Sequence, residues 1–442
     1  MSNPQSSHRA ALEAGRPVAA NRPLAETVAS PVWGLWQRVL AQVEEIRADG
    51  VLRAYGAALA LTHLVTALFW WQEDIEHIVH RAAEPICWPL VPACDAIRLL
   101  SIDQVRLLLV GYGVAALVVA SLFRRRRLVG YGFLGLVALT ALKILVLALD
   151  YRLRRNQHYM ALWVTGVFLA VPGKREALRL LLVLFYVWAG TLKLNWEWIS
   201  GAGLYRPLWL IHGRAVIAAC VYVIVLELVV SWGLLARRPW IFWSALAQIA
   251  LFHVMSWPVV GFFYPVLMFV LLTILLLDRL RPSSTSRPDL FGSLWTGGAR
   301  AGTYAVALAF SLCQLVPYAY HGDRAITGEG RLYALHMFDA RIVCQAYATV
   351  QDSSGAVQRL DLRPGLPPRM DCDPHVLFNR ARNLCVGRSE IPAPTPIARL
   401  DLQLLARRST EAGMHEVINV TDFCNRGLRD NPFRHNDWIT TD

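Results

Sequence analysis

Charge is scarce in this chain, and lysine is nearly missing. Asp, Glu, Lys and Arg make up 17% of its 442 residues, and Lys143, Lys174 and Lys193 are its only lysines. Soluble globular proteins average about 25% charged and 45–50% apolar residues. Here 55% of residues are hydrophobic and the mean hydropathy is +0.38. So little charge and so much apolar surface exclude whole-chain disorder and a soluble nucleic-acid binder. The formal charge of +12 would suggest nucleic acid in a soluble domain. The arginines, however, are scattered along loops and tail, so no nucleic-acid partner is expected. The chain is not a secreted disulfide scaffold, and it lacks CxxC and paired-His spacings, so no metal is expected. Without an inverted repeat or matching Gly/Pro-broken spans, a transporter is also disfavoured.

What the chain does have is a series of apolar runs near twenty residues long, the length a helix needs to cross a bilayer. Nine spans are expected near 52–71, 104–123, 128–149, 157–172, 177–195, 214–235, 240–256, 259–277 and 301–319. Residues 1–30, rich in Ser, Pro, Ala and Arg, read as a disordered tail, and no signal peptide is visible. Trp33, Trp36, Val39, Leu40, Val43 and Ile46 recur at helical spacing, so 31–50 reads as an amphipathic helix at the membrane interface. Arginine and lysine in alternate short loops (Arg124 to Arg127, Lys174 with Arg175, Arg237 with Arg238, Arg279 with Arg281) place the N-terminus in the cytoplasm. Nine spans then put the C-terminal segment outside. Arg152, Arg154 and Arg155 break that rule. Either span 4 is misplaced or these arginines have work on the outer side.

Residues 320–442 are too polar for lipid. The runs 341–350 and 356–362, around Ser353-Ser354-Gly355, read as a β-hairpin, as do 398–407 and 415–421. Residues 374–385 read as a short helix. The expected fold is an all-α polytopic membrane bundle of about nine transmembrane helices (51–319) with a small extracytoplasmic α+β domain (320–442). Cys220 and Cys313 fall inside spans. Cys87, Cys94, Cys344, Cys372, Cys385 and Cys424 all fall in the two large outer segments. An even number on one oxidising side suggests disulfides, and six cysteines allow fifteen pairings.

Ionisable groups inside spans are costly and need a reason. The candidates are Arg53, Lys143, Lys193, Glu227 and His253, with Asn156 and His158 at the outer mouth of span 4. Arg53, Lys143 and Glu227 can be read as ion pairs holding the bundle together, and Arg53 also as a snorkelling residue. Lys193 can snorkel too, or can serve as a general base if desolvation favours its neutral form. His158 and His253 lie at similar depth, so the three make a candidate reactive cavity.

Three stretches occur in a telling order: Asn156-Gln157-His158-Tyr159, then Ala189 through Lys193, Asn195, Trp196 and Trp198 to Gly201, then Phe252-His253-Val254-Met255 with a Gly261-Phe262 to Pro265 turn. Their order and spacing resemble the membrane domain of the vitamin K-dependent gamma-carboxylase family, whose bacterial relatives are the horizontally transferred transmembrane domain (HTTM) proteins. Arg369 to Pro374 and Asp422-Phe423 look like the family's C-terminal module. The resemblance implies an enzyme that oxygenates a reduced naphthoquinone (vitamin K-type or menaquinol). It uses the base so formed to carboxylate a peptide glutamate, with O2 and CO2 as co-substrates. It implies catalytic roles for Lys193, taking the quinol proton, and for His158, at the glutamate carbanion and CO2, with His253 in support. Asn156, Trp196, Glu227 and Arg53 are the candidates for contacting the quinone. Phe338 stands where animal members carry a further histidine, with His336 two residues away. The expected setting is the plasma (bacterial inner) membrane, with the lipid bilayer and an extracytoplasmic peptide or protein substrate as partners. The alternative is a non-catalytic HTTM protein that matures, exports or presents a partner peptide or protein.

Overall fold

Each of the nine apolar runs forms a helix in the computed structural model of the chain. It describes residues 31–204, 206–208, 210–281, 299–337, 340–368, 370–394 and 396–440. The expected tail at 1–30 and Phe338 lie outside the described residues. Residues 41–442 form one compact unit and 1–40 another. Helix α1 (Pro31–Ala48) covers the expected amphipathic segment. Then come α2 (Gly50–Gln72), α3 (Ile102–Arg124), α4 (Val129–Leu149), α5 (Asn156–Ala170), α6 (Lys174–Leu192), α7 (Arg214–Leu228), α8 (Pro239–Val260), α9 (Phe263–Leu280) and α10 (Ala299–Leu315).

Local chemistry sets the helix ends. The Asp49 carboxylate accepts from the Val51 and Leu52 backbone N–H groups and opens α2. Ser101 and Gln104 form a capping box on α3. Gly261 takes a φ of 78°, the region that favours glycine, at the sharp turn from α8 into α9.

Seven helices among the described residues are long and apolar enough to cross a membrane, so the chain is a multi-pass membrane protein. Two of the nine expected spans differ. Helix α5 has 15 residues and reaches only about 22 Å at 1.5 Å per residue, short of the roughly 30 Å hydrocarbon core. Helix α6 opens on Lys174, Arg175 and Glu176 with Arg179 one turn on. The lipid-facing stripes are legible in α3, where Leu107, Val110, Val114 and Leu117 are exposed while Val105, Leu109, Tyr112 and Ala116 are buried.

The C-terminal region is an antiparallel sheet of order β2-β1-β3-β4, with β1 Ile342–Asp352, β2 Val357–Asp361, β3 Ile397–Arg408 and β4 His415–Val420. Both expected hairpins form. Alternation sends Ala346, Ala348, Val350, Leu400, Leu402 and Leu404 to one face, against Leu377, Phe378 and Ala381 of helix α11 (Pro374–Cys385). All six outer cysteines pair, as Cys87–Cys94, Cys344–Cys372 and Cys385–Cys424.

Helix α11 docks on the loop between α2 and α3. The Asn383 amide donates to the Pro85 carbonyl at 2.7 Å, and His375 Nε2 lies 2.7 Å from the Cys87 carbonyl. The rule-breaking arginines are employed here. Arg152 and Arg98 both pair with the buried Asp150, Arg154 bonds the Tyr151 hydroxyl, and Arg155 pairs with Glu73 at 3.3 Å. Burial pushes the Glu84 carboxyl above its usual range, against the Arg380, Asn383 and Arg152 groups around it.

Candidate functional site

The sheet domain meets one end of the helix bundle across a cleft of about 440 Å³. Its walls come from the end of α2 (Phe69, Gln72), the start of α5 (Asn156, Gln157) and the α8–α9 turn (Phe263, Tyr264). The sheet side adds Met370 and Asp371, and the lining carries four arginines, Arg154, Arg155, Arg206 and Arg331, beside the acids Glu73, Asp371 and Asp373. Burial raises the Asp371 carboxyl above its usual range, with Arg363 pulling the other way.

Asn156, which lines the cleft, also secures this junction. Its side-chain oxygen accepts from the His336 backbone N–H at 2.8 Å, and its amide donates to the His336 carbonyl. One turn into α5, His158 is buried among Trp70, Phe69 and Phe263, with ring centroids 5.4, 6.2 and 5.2 Å away. Neither imidazole nitrogen has a hydrogen-bond partner among the described residues. Phe69 and Phe263 stack at 4.2 Å and stand between His158 and the cleft that both line.

A second polar cluster forms where α6 meets α7. Lys193 ends α6 and is buried against Glu227 of α7, its Nζ 2.6 and 2.9 Å from the two carboxylate oxygens and 3.2 Å from the Ala189 carbonyl. Glycine makes this approach possible, because a Cβ on Gly190 would meet Glu227 Cβ and Leu228 at 3.0 Å. His253 of α8 is bonded through Nε2 to the Tyr186 hydroxyl at 2.8 Å and packs on Tyr264 at 5.3 Å. Phe263 and Tyr264 are consecutive, the first touching His158 and the second His253.

The Lys193 motif is built by its own neighbours. The Asn195 side chain donates to the Leu192 carbonyl at 2.7 Å and accepts from the Trp198 backbone N–H at 2.8 Å, bending the chain into the turn Trp196–Ile199. That turn lays Trp198 against Lys193, 5.2 Å from ring centroid to Nζ, with its indole N–H donating to the Cys220 carbonyl. Glu197 reaches the sheet domain at Arg408, 2.7 Å away.

The structure thus pairs Lys193 with Glu227, and it holds His253 on Tyr186, seven residues back along α6, and His158 against Phe263. It leaves Trp196 66% exposed and puts Arg53 at the opposite end of α2, donating to the Arg47 carbonyl at 2.6 Å. Ring orientation explains the first: two residues along a helix differ by about 200°, so Trp198 rather than Trp196 faces the lysine. Position explains the second, since Arg53 sits near the first turn of α2 and the cleft lies at its last. The expected ion pairs among Arg53, Lys143 and Glu227 are also corrected, because Glu227 is taken by Lys193. Tyr186, Trp198 and Tyr264 have no distinctive spacing in sequence, whereas a histidine inside an apolar run, the signal that marks His253, marks His63 equally well.

Among the described residues, no three His, Cys, Asp or Glu gather as a metal-binding group. Comparison of the chain with family models, curated proteins and solved structures finds no match.

Proposed function

We propose that this chain is a membrane enzyme of the vitamin K-dependent gamma-carboxylase type, carboxylating a peptide glutamate with a reduced naphthoquinone, O2 and CO2. The observation that carries the reading is His158, a buried imidazole with both nitrogens unpartnered among the described residues, set behind aromatic side chains that line a cleft with four arginines. An orphaned buried imidazole is a functional candidate because its desolvation is otherwise uncompensated.

A hydroquinone fits this chemistry. Phe69 and Phe263 offer apolar ring faces, and His158 offers a nitrogen for a hydroxyl or carbonyl oxygen. Oxygenation of the bound quinol supplies a base stronger than any side chain, which survives only where water is excluded. The protein's part is to take the quinol proton, to hold the glutamate and to shield the reacting carbon. Because Lys193 is bonded to both Glu227 carboxylate oxygens, the proton acceptor in this reading is the Lys193–Glu227 pair acting together. Arg206 and its basic neighbours would steer an acidic peptide into the cleft. In this reading the helix bundle lies in the bacterial inner membrane, the N-terminus is cytoplasmic, and the sheet domain and cleft are extracytoplasmic.

The test uses purified protein in nanodiscs with reduced naphthoquinone, air, labelled CO2 and a glutamate peptide. Quinone epoxide and peptide label should form with the native chain and be lost in Lys193→Ala and His158→Ala. Folded native protein that yields neither product above those variants would overturn the reading and leave the non-catalytic partner protein as the better account.

A further inference from the structure

A third group of polar side chains lies inside the bundle, away from the Lys193–Glu227 pair. His63, Thr66 and Trp70 occupy positions i, i+3 and i+7 of α2 and so share one face, and all three are buried. Lys143 of α4, 1% exposed, donates from Nζ to the Thr66 hydroxyl at 3.2 Å. His63 Nδ1 meets the Tyr112 hydroxyl of α3 at 2.5 Å. Trp70 packs on Tyr112 at 5.8 Å and on His158 at 5.4 Å, so the group runs without a break from Lys143 to His158.

Four polar atoms along it have no hydrogen-bond partner among the described residues: His63 Nε2, Trp70 Nε1 and both nitrogens of His158. An indole N–H can only donate, so Trp70 needs an acceptor. Among the described residues no carboxylate is hydrogen-bonded to His63, Trp70 or His158. At this end of the bundle Glu73 pairs with Arg155, and Glu76 pairs with Arg106 through Oε1 at 3.0 Å, its Oε2 being buried without a partner among the described residues. Unpartnered polar atoms in a buried group are the setting in which internal water completes a hydrogen-bond network.

We propose that His63, Thr66, Trp70 and Lys143 line an internal water path that carries protons between Lys143 and His158. From the cleft end of α2 it descends about 13 Å to His63, nine residues at 1.5 Å each. A proton taken up at His63 Nε2 is matched by one released from Nδ1 to the Tyr112 oxygen, whose own hydroxyl proton passes to the water of the path, so neither ring adds net charge to the interior. The path goes beyond the quinol reading, since any acid–base chemistry at His158 needs a route for its proton.

Radiolytic hydroxyl labelling of the full chain in nanodiscs, read by mass spectrometry, tests for the water. Trp70 and Tyr112 should be oxidised several-fold faster than Tyr55, which is equally buried in α2 but bonded to the Leu271 carbonyl. Thr66→Val, a near-isosteric change, should slow labelling of Trp70. Coupling is read from the pH profile of deuterium exchange at the His158 ring carbon, which should move in Lys143→Met and in His63→Phe. Labelling of Trp70 and Tyr112 no faster than Tyr55, or a His158 profile unmoved by both variants, overturns the proposal. Neither readout needs turnover, so labelled tryptophan without quinone epoxide would keep the path and remove the carboxylase reading.

Discussion

Two lysines are buried to the same degree in this bundle, and they are treated in opposite ways. Lys193 faces the Glu227 carboxylate, the Ala189 carbonyl and the Trp198 ring, and its charge is compensated on every side. Lys143 has a hydroxyl at 3.2 Å, and the other groups acting around it are two imidazoles. Lys174, the remaining lysine, follows the first pattern, with Glu45 at 3.0 Å and Gln42 beside it. A membrane interior makes an unpaired cation expensive, so the exception is informative. Lys193 is held by an acid, whereas Lys143 has among the described residues only the Thr66 hydroxyl.

The sharpest way to break this contrast is to remove one partner on each side. Glu227→Ala strands the Lys193 ammonium and should cost about 3–5 kcal/mol, as for other broken buried pairs. A Lys193→Met, Glu227→Leu double variant should recover most of that loss. Lys143→Met removes a buried amine with no acid partner and should be neutral or mildly stabilising. Reversible unfolding of the three variants in mixed micelles checks all of this at once. A Lys143→Met loss as large as that of Glu227→Ala would show that Lys143 is structural.

The next largest effect lies outside the membrane, where charge can be followed by pH. Arg408 on β3 bonds Asp323 at 2.5 Å and Glu197 at 2.7 Å. Burial would raise the Asp323 carboxyl, but the hydrogen bonds and charge of Arg408 outweigh it and hold it below the usual range. A folded value below the unfolded one contributes stability above the ordinary carboxylate range and loses it as pH falls through the folded value. Arg408→Gln should therefore cost about 2–3 kcal/mol near pH 7, in the range of hydrogen bonds to charged groups. The gap in melting temperature between wild type and variant should close as the pH drops below about 4. A gap that stays constant with pH would mean that Arg408 acts by packing alone.

The elements were legible because each rests on a local period. Apolar runs marked the helices, and alternation marked both hairpins and the strands that became β1 to β4. The short helix Pro374–Cys385 was legible as well. What periodicity does not encode is which helix faces which. Lys193 and Glu227 are 34 residues apart, and neither sequence context marks the other as its partner. The six cysteines outside the apolar runs announced disulfides, but their pairing depends on how the loop at 84–98 and the sheet domain each fold, since Cys87–Cys94 closes within the loop and the other two bridges within the domain. His158 was visible as a polar residue opening a span. Its isolation was not, because that follows from Trp70 and Phe263 closing around it in three dimensions.

The smallest expected effects concern two tryptophans two residues apart, and they test how finely the compensation of Lys193 is built. Trp196 is 66% exposed, and Trp196→Ala should change stability within about 0.5 kcal/mol, as for a surface substitution. Trp198 covers the lysine and ties its turn to α7 through the Cys220 carbonyl. Trp198→Phe keeps a ring over Nζ but loses that hydrogen bond, and should cost about 1 kcal/mol. The same unfolding measurement resolves the two. Equal losses at both positions would mean that the turn Trp196–Ile199 matters as a whole, and that the indole of Trp198 adds nothing particular to the charge that Glu227 already balances.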